Sequence, residues 1–273
     1  MDQPILAAMN VEIGTPLGPI RGRVQVDTGP MRLSDLVSTA VGLTGIMVDR
    51  SRKIEEKAGR AVSCRAGCGA CCRQMVPLSA PEAFQLADFI DSLAPAHREA
   101  VLARFDSIVD VLDRETLLAS LLETDLLADA SKDISMRYFR LGLACPFLVD
   151  ESCSIHPVRP VACREYNVTS PAFYCTDPQA FGVRLMPMPL PLSLSLAHLT
   201  AELTESPPVL VPLTLVPRWT AEHDELRRRT WPGLELFKRF MEIIRRTPAA
   251  LIEGSETSDN REDRERPPGA TER

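Results

Sequence analysis

Residues Val11 to Val26 alternate between polar and apolar side chains around Gly14 and Gly18, which is the period of a β-hairpin. From Ser34, a residue type that caps helices, Leu36, Val37, Val41, Ile46 and Val48 follow helical spacing. They predict a helix running to about Lys57. Ser79 with Glu82 is the pairing of a capping box and opens a helix through Phe84, Leu86, Phe89 and Ile90. After Pro95, the positions Val101, Leu102, Phe105, Ile108, Val109 and Leu112 share one helical face. The leucine-rich piece Glu115 to Leu127 is expected to pack on it, and all these stripes read as core. The pattern then weakens. Cys145 to Cys175 holds Pro146, Pro157, Pro160 and Pro171 and few helix signals, as loops do when a metal substitutes for a core. Pro187 to Pro217 reads as a proline-rich connection, neither helix nor repeat. A last helix, Ala221 to about Arg246, carries Leu226, Leu234, Phe237, Phe240, Met241 and Ile244 and should kink or split at Pro232. Beyond Ile252 there is no large aliphatic or aromatic residue, so the tail is expected to be disordered.

The expected fold class is α+β, mainly α-helical, with helices around a loop-built cysteine site and a small N-terminal β-hairpin. Four segments follow: 1–60 hairpin and helix, 61–180 cysteine-cluster domain, 181–252 proline-rich connection and C-terminal helix, 253–273 tail.

Composition narrows the function. With 45% hydrophobic and 25% charged residues, the 273-residue chain is that of a globular protein. Its net charge is -6, and seven acids with four arginines between Glu253 and Arg273 contribute half of it. There is no basic face for a nucleic acid, and aromatics at 5% are too few for a stacking platform. Met1 to Met9 lack the basic and apolar regions of an export signal. The longest apolar run, Leu185 to Leu199, is broken by Pro187, Pro189 and Pro191. No membrane span and a cytoplasmic location are therefore expected.

In a reducing compartment eight cysteines are ligands or catalysts rather than disulfides. Cys64, Cys68, Cys71 and Cys72 fall within nine residues. Thiolates so close repel one another unless a cation sits among them. Gly67 and Gly69 permit tight turns that aim amide N–H groups at sulfur. Cys71 and Cys72 are adjacent, so their side chains are expected to diverge. A second group comprises Cys145, Cys153, Cys163 and Cys175, with His156 in Cys-x2-His spacing after Cys153. The two groups lie 73 residues apart at their nearest members, so a shared metal would close a long loop. Arg65, Arg73, Arg159 and Arg164 adjoin these thiols and are candidates to offset a net charge of about -2 on a four-thiolate site.

Two metals suit this pattern. Cys68, Cys71, Cys153 and His156 would make a tetrahedral Cys3His zinc site. Cys64-x3-Cys68-x2-Cys71 is similar to the compact runs of iron–sulfur proteins, whose fourth ligand often lies far away. More thiols than one zinc needs, with Cys71 and Cys72 adjacent, favour an iron–sulfur cluster, of the 4Fe–4S type, or a two-metal site over a single Zn2+. Candidate ligands are Cys64, Cys68, Cys71, Cys145, Cys153 and Cys163, then Cys72 and Cys175, then His156.

The run Cys64-x3-Cys68-x2-Cys71-Cys72, followed by Cys145-Pro146-Phe147-Leu148 and Cys153-x2-His156-x2-Arg159-Pro160-x2-Cys163-Arg164, resembles the YkgJ-type cysteine-cluster family. The resemblance covers Cys64 to about Tyr166. It implies a bacterial, zinc- or iron-chelating domain and a relation to the flagellin lysine N-methylases. No G-x-G-x-x-G follows a strand, and no residue matches a methyl-donor or lysine site. The same spacing occurs in radical S-adenosylmethionine enzymes, but Ala70 stands where an aromatic usual in that class would be, and the strand–helix alternation of a partial barrel is absent. Three functions are therefore carried: a redox or electron-transfer protein, a methylase-like modifying enzyme, and a structural zinc module. The protein partner or substrate is unknown.

Overall fold

The computed structural model describes residues 5–123, 126–127 and 131–247. The N-terminal strands β1 (Leu6–Ile13) and β2 (Ile20–Asp27) form an antiparallel hairpin, longer at both ends than the alternating stretch predicts. Val11, Ile13, Ile20 and Val26 turn inward. A short strand β3 (Pro30–Arg32) leads through a 3-10 turn into α1 (Val37–Lys57). Ser34 is not the cap: Asp35 accepts the backbone N–H of Arg32 at 2.7 Å, while Ser34 is buried. The capping box of Ser79 and Glu82 forms as expected after β4 (Pro77–Ser79) and opens α2 (Ala80–Ser92).

Helix α3 (Pro95–Arg114) buries Val101, Phe105, Ile108 and Leu112, its predicted face. It is followed by α4 (Leu118–Glu123) and α5 (Ser131–Arg140). A tight hairpin of β5 (Leu148–Val149) and β6 (Ser152–Cys153) then precedes α6 (Val161–Glu165) and α7 (Pro178–Phe181).

The region read as a proline-rich connection holds α8 (Leu192–Thr204), β7 (Leu210–Pro212) and α9 (Val216–Glu222). Its prolines sit at element ends, with Pro191 just before α8, so none removes an internal hydrogen bond. α8 is buried on several faces, which erases the one-sided stripe that marks a surface helix. The last predicted helix is split at Pro232 into α10 (Asp224–Arg228), β8 (Thr230–Pro232) and α11 (Gly233–Arg246). The expected disordered tail lies outside the described residues.

Among the described residues the strands form four two-stranded antiparallel sheets, β1–β2, β3–β8, β4–β7 and β5–β6. β8 and β7 return to pair with β3 and β4, so distant parts of the chain are stitched together. The molecule is thus mainly helical α+β. One core joins the hairpin to α1, α8 and α11 through Ile13, Leu36, Met47, Leu196, Phe240 and Ile244. A second joins α2, α3 and α9, and Cys145, Cys153 and Cys163 pack against its edge. Val161 of α6 belongs to the first core, so α6 bridges the two. No helix among the described residues is long and apolar enough to cross a membrane.

Candidate metal centre

The first cysteine run leaves α1 through Gly59, whose φ of +75° ends the helix, and is anchored where Ser63 N–H donates to Val168 O. Gly67 at φ +80° makes the turn in which Cys68 N–H donates to Arg65 O at 3.1 Å. Ala70–Arg73 is a 3-10 turn carrying both Cys71 and Cys72. Cys72 follows Cys71 directly in this turn and lies near enough to disfavour ionisation of the Cys71 thiol.

The second group is drawn onto the first by backbone and ion-pair contacts. Cys145 N–H donates to Cys72 O at 2.8 Å. Asp150 and Glu151 turn the β5–β6 hairpin at φ +48° and +56°, conformations that glycine or asparagine usually supply. This presents Glu151 to Arg73, which binds both carboxylate oxygens at 3.0 and 2.5 Å and also Gly69 O. Cys163 sits on α6, whose Ala162 N–H is accepted by Glu82 at 3.0 Å. Glu82 is only 1% exposed and also takes Ser79 and Ser193, so β4, α2, α6 and α8 meet at one carboxylate. Periodicity identified Glu82 as a capping residue; the contact with α6 involves a residue 80 positions away.

The thiols feel one another. Burial raises Cys64 most, with smaller increases from Cys71 and Cys68, against a Val168 N–H that reaches its Sγ at 3.4 Å. Cys71 is lifted far above the ordinary thiol range, first by its neighbour Cys72 and then by burial. Burial pushes Cys145 up to about 12, with Cys153 and Cys71 adding to it. Cys163 rises well above its usual value through burial, then Cys145, Glu82, Cys71 and Cys153. Cys175 goes up to about 11 through burial and its neighbours Cys71, Cys64 and Cys68. Members of both cysteine groups thus lie near enough to disfavour one another's ionisation, Cys71 acting on Cys64, Cys145, Cys163 and Cys175. The fold brings together what the sequence separates.

The four arginines part company. Arg73 is held by Glu151, and Arg164 is spent on the carbonyls of Arg159 and Pro157. Arg159 lies close enough to Cys64 and Cys71 to favour their thiolates. Its Nε is buried without an acceptor. Arg65 is exposed. His156 is exposed, and Arg159, burial and then Arg164 disfavour its protonation. Tyr166 accepts Gln74 Nε2 at 3.5 Å. Glu165 accepts Leu192 and Ser193 N–H at the start of α8.

These donors suit a soft metal in kind, since thiolates and imidazole are what zinc and iron take. A thiolate or sulfide would supply the acceptor that Arg159 Nε lacks. Among the described residues no three His, Cys, Asp or Glu side chains already stand as they would around a bound ion. The fold gathers the thiols, and a metal would set their final angles.

Residues 63–181 match a family model, CxxCxxCC, described as "Putative zinc- or iron-chelating domain". The match spans every cysteine of the chain, including Cys175, which lies beyond the stretch that carries the sequence resemblance. The chain has one residue more between its first two cysteines than that name spells out, in the turn that holds Gly67. No curated protein and no solved structure matches the chain.

Proposed function

With residues 63–181 carrying a zinc- or iron-chelating domain, we propose that its cysteines hold an iron–sulfur cluster of the 4Fe–4S type with a redox role. The observation that carries this reading is the bond from Cys145 N–H to Cys72 O at 2.8 Å, which ties the second cysteine group to the first run. Cys64, Cys68 and Cys71 are the proposed ligands from the first run, with the fourth from Cys145, Cys153 or Cys163. Cys72, Cys175 and His156 are the reserve. Three thiols in the close run Cys64-x3-Cys68-x2-Cys71 with a fourth from a distant segment is an arrangement that iron–sulfur proteins use.

Such a cluster supplies one-electron chemistry when bound. The chain's own residues tune the sulfurs. Val168 N–H donates to Cys64 Sγ at 3.4 Å, favouring the charged sulfur. Arg159 adds a positive charge beside Cys64 and Cys71, and these donors together favour the reduced, more negative state.

Anaerobic purification with iron, sulfide and zinc analysis and a visible spectrum tests this. Iron and acid-labile sulfide in matching amounts, with a colour that bleaches on reduction and returns on oxidation, is the expected result. A colourless protein holding zinc alone overturns the redox reading and leaves a structural zinc module.

A further inference from the structure

An open cleft of about 840 Å³ lies beside the first cysteine run, and Cys68 lines it. That volume lies within the ~300–1,000 Å³ of small-molecule sites. Its walls come from four separate parts of the chain: the first cysteine run around Gly67, the last turns of α5, Glu151 of the β5–β6 turn, and the segment around Phe173. Met136, Phe139 and Phe173 give it an apolar side. Phe173 is 58% exposed although it packs edge-on against Tyr174 and Phe181, so an aromatic platform already stands open to a ligand.

The charges in the cleft do not cancel. Arg65, Arg73 and Arg140 against Glu151 and Asp177 leave one positive charge over; Arg73 pairs with Glu151, and Asp177 also accepts the N–H of Ala180 at the start of α7. Arg65 and Arg140 have no ion pair among the described residues, and both are exposed. Two guanidinium groups with no carboxylate partner, in a cleft that also offers bare aromatic surface, suit one class of ligand.

We propose that this cleft binds a small organic anion, a carboxylate or phosphate ester with an aromatic or apolar body, next to Cys68. Arg65 and Arg140 take the anionic group, and Phe139 and Phe173 take the body. The inference depends on the proposed metal centre only for its meaning as a substrate site, since the cleft is built from the chain alone.

The full-length protein as purified is titrated with 2-naphthoate and 2-naphthyl phosphate, with neutral 2-naphthalenemethanol as control, and the metal content of each sample is measured. Saturable binding of the anions, tighter than that of the alcohol and weakened about tenfold in Arg140→Ala, is expected. Arg65→Ala should weaken it similarly, and whichever anion binds more tightly identifies the headgroup class. Absence of saturable binding, equal binding of the alcohol, or unchanged affinity in both variants overturns the proposal. Missing iron in a protein that still binds the anions would count against the cluster alone.

Discussion

Gly69 and Gly67 invite the same explanation from sequence, yet different physics holds each in place. Gly67 has a positive φ and needs glycine for its backbone. Gly69 needs glycine for space, because a Cβ there would come within 2.5 Å of Glu151 Oε2, 2.9 Å of Leu148 Cδ1 and 3.3 Å of Glu151 Cα. Gly69→Ala should therefore push the β5–β6 hairpin off the cysteine run and destabilise the fold by about 1–3 kcal/mol, measured by denaturant unfolding. Glu165 gives a second residue-level expectation. Although the residue is half-buried overall, its carboxylate is turned onto the buried start of α8. Burial, then Glu82, raises its pKa to about 8. Folding then favours the protonated acid, so its contribution is complete below the unfolded carboxylate value of about 4.3 and is lost as pH rises to about 8. Glu165→Gln removes this titration, so melting curves from pH 5 to 8 should show the variant gaining on the parent as pH rises. A constant difference across that range would mean that Glu165 is ionised throughout.

Among the elements, legibility followed amphipathicity. α3 and α11 each bury one face and show as stripes, whereas α2, buried all round its first turns, is announced by its capping box. α8 has Leu192, Leu196, Leu199 and Ala201 inside with Ser193, Ser195 and Thr200 also buried, so no polar face announced it. The strands β3, β4, β7 and β8 are three residues long, too short for a period-2 signal, and exist because a distant segment pairs with them. The β5–β6 turn is the element where local preference and fold disagree most. Asp150 at φ +48° tolerates a strain that glycine would not feel. Asp150→Gly should raise the melting temperature by an amount equivalent to about 0.5–1 kcal/mol, read by thermal denaturation, while leaving the Arg73–Glu151 clasp in place.

For the whole molecule the site and the fold depend on each other. The two cysteine groups meet across a long loop, so a bound metal adds a cross-link between segments that otherwise share Glu82, the Arg73–Glu151 pair and a few backbone bonds. Stripping the metal should lower the melting temperature, and restoring it should recover the loss in proportion to metal bound, as calorimetry on matched samples would show. From the sequence alone came the residue types able to bind a soft metal, their tight spacing in the first run, the one-sided helices and the break at Pro232, because each depends on neighbours within a turn or two. Only the tertiary structure decided that Cys145 is bonded to Cys72 O, that Arg159 lies by Cys64 and Cys71, that Glu82 anchors the helix of Cys163, and that a cleft opens at Cys68. Those facts rest on contacts between segments tens of residues apart, and such contacts are set by how the whole chain buries its apolar surface, which no local spacing encodes.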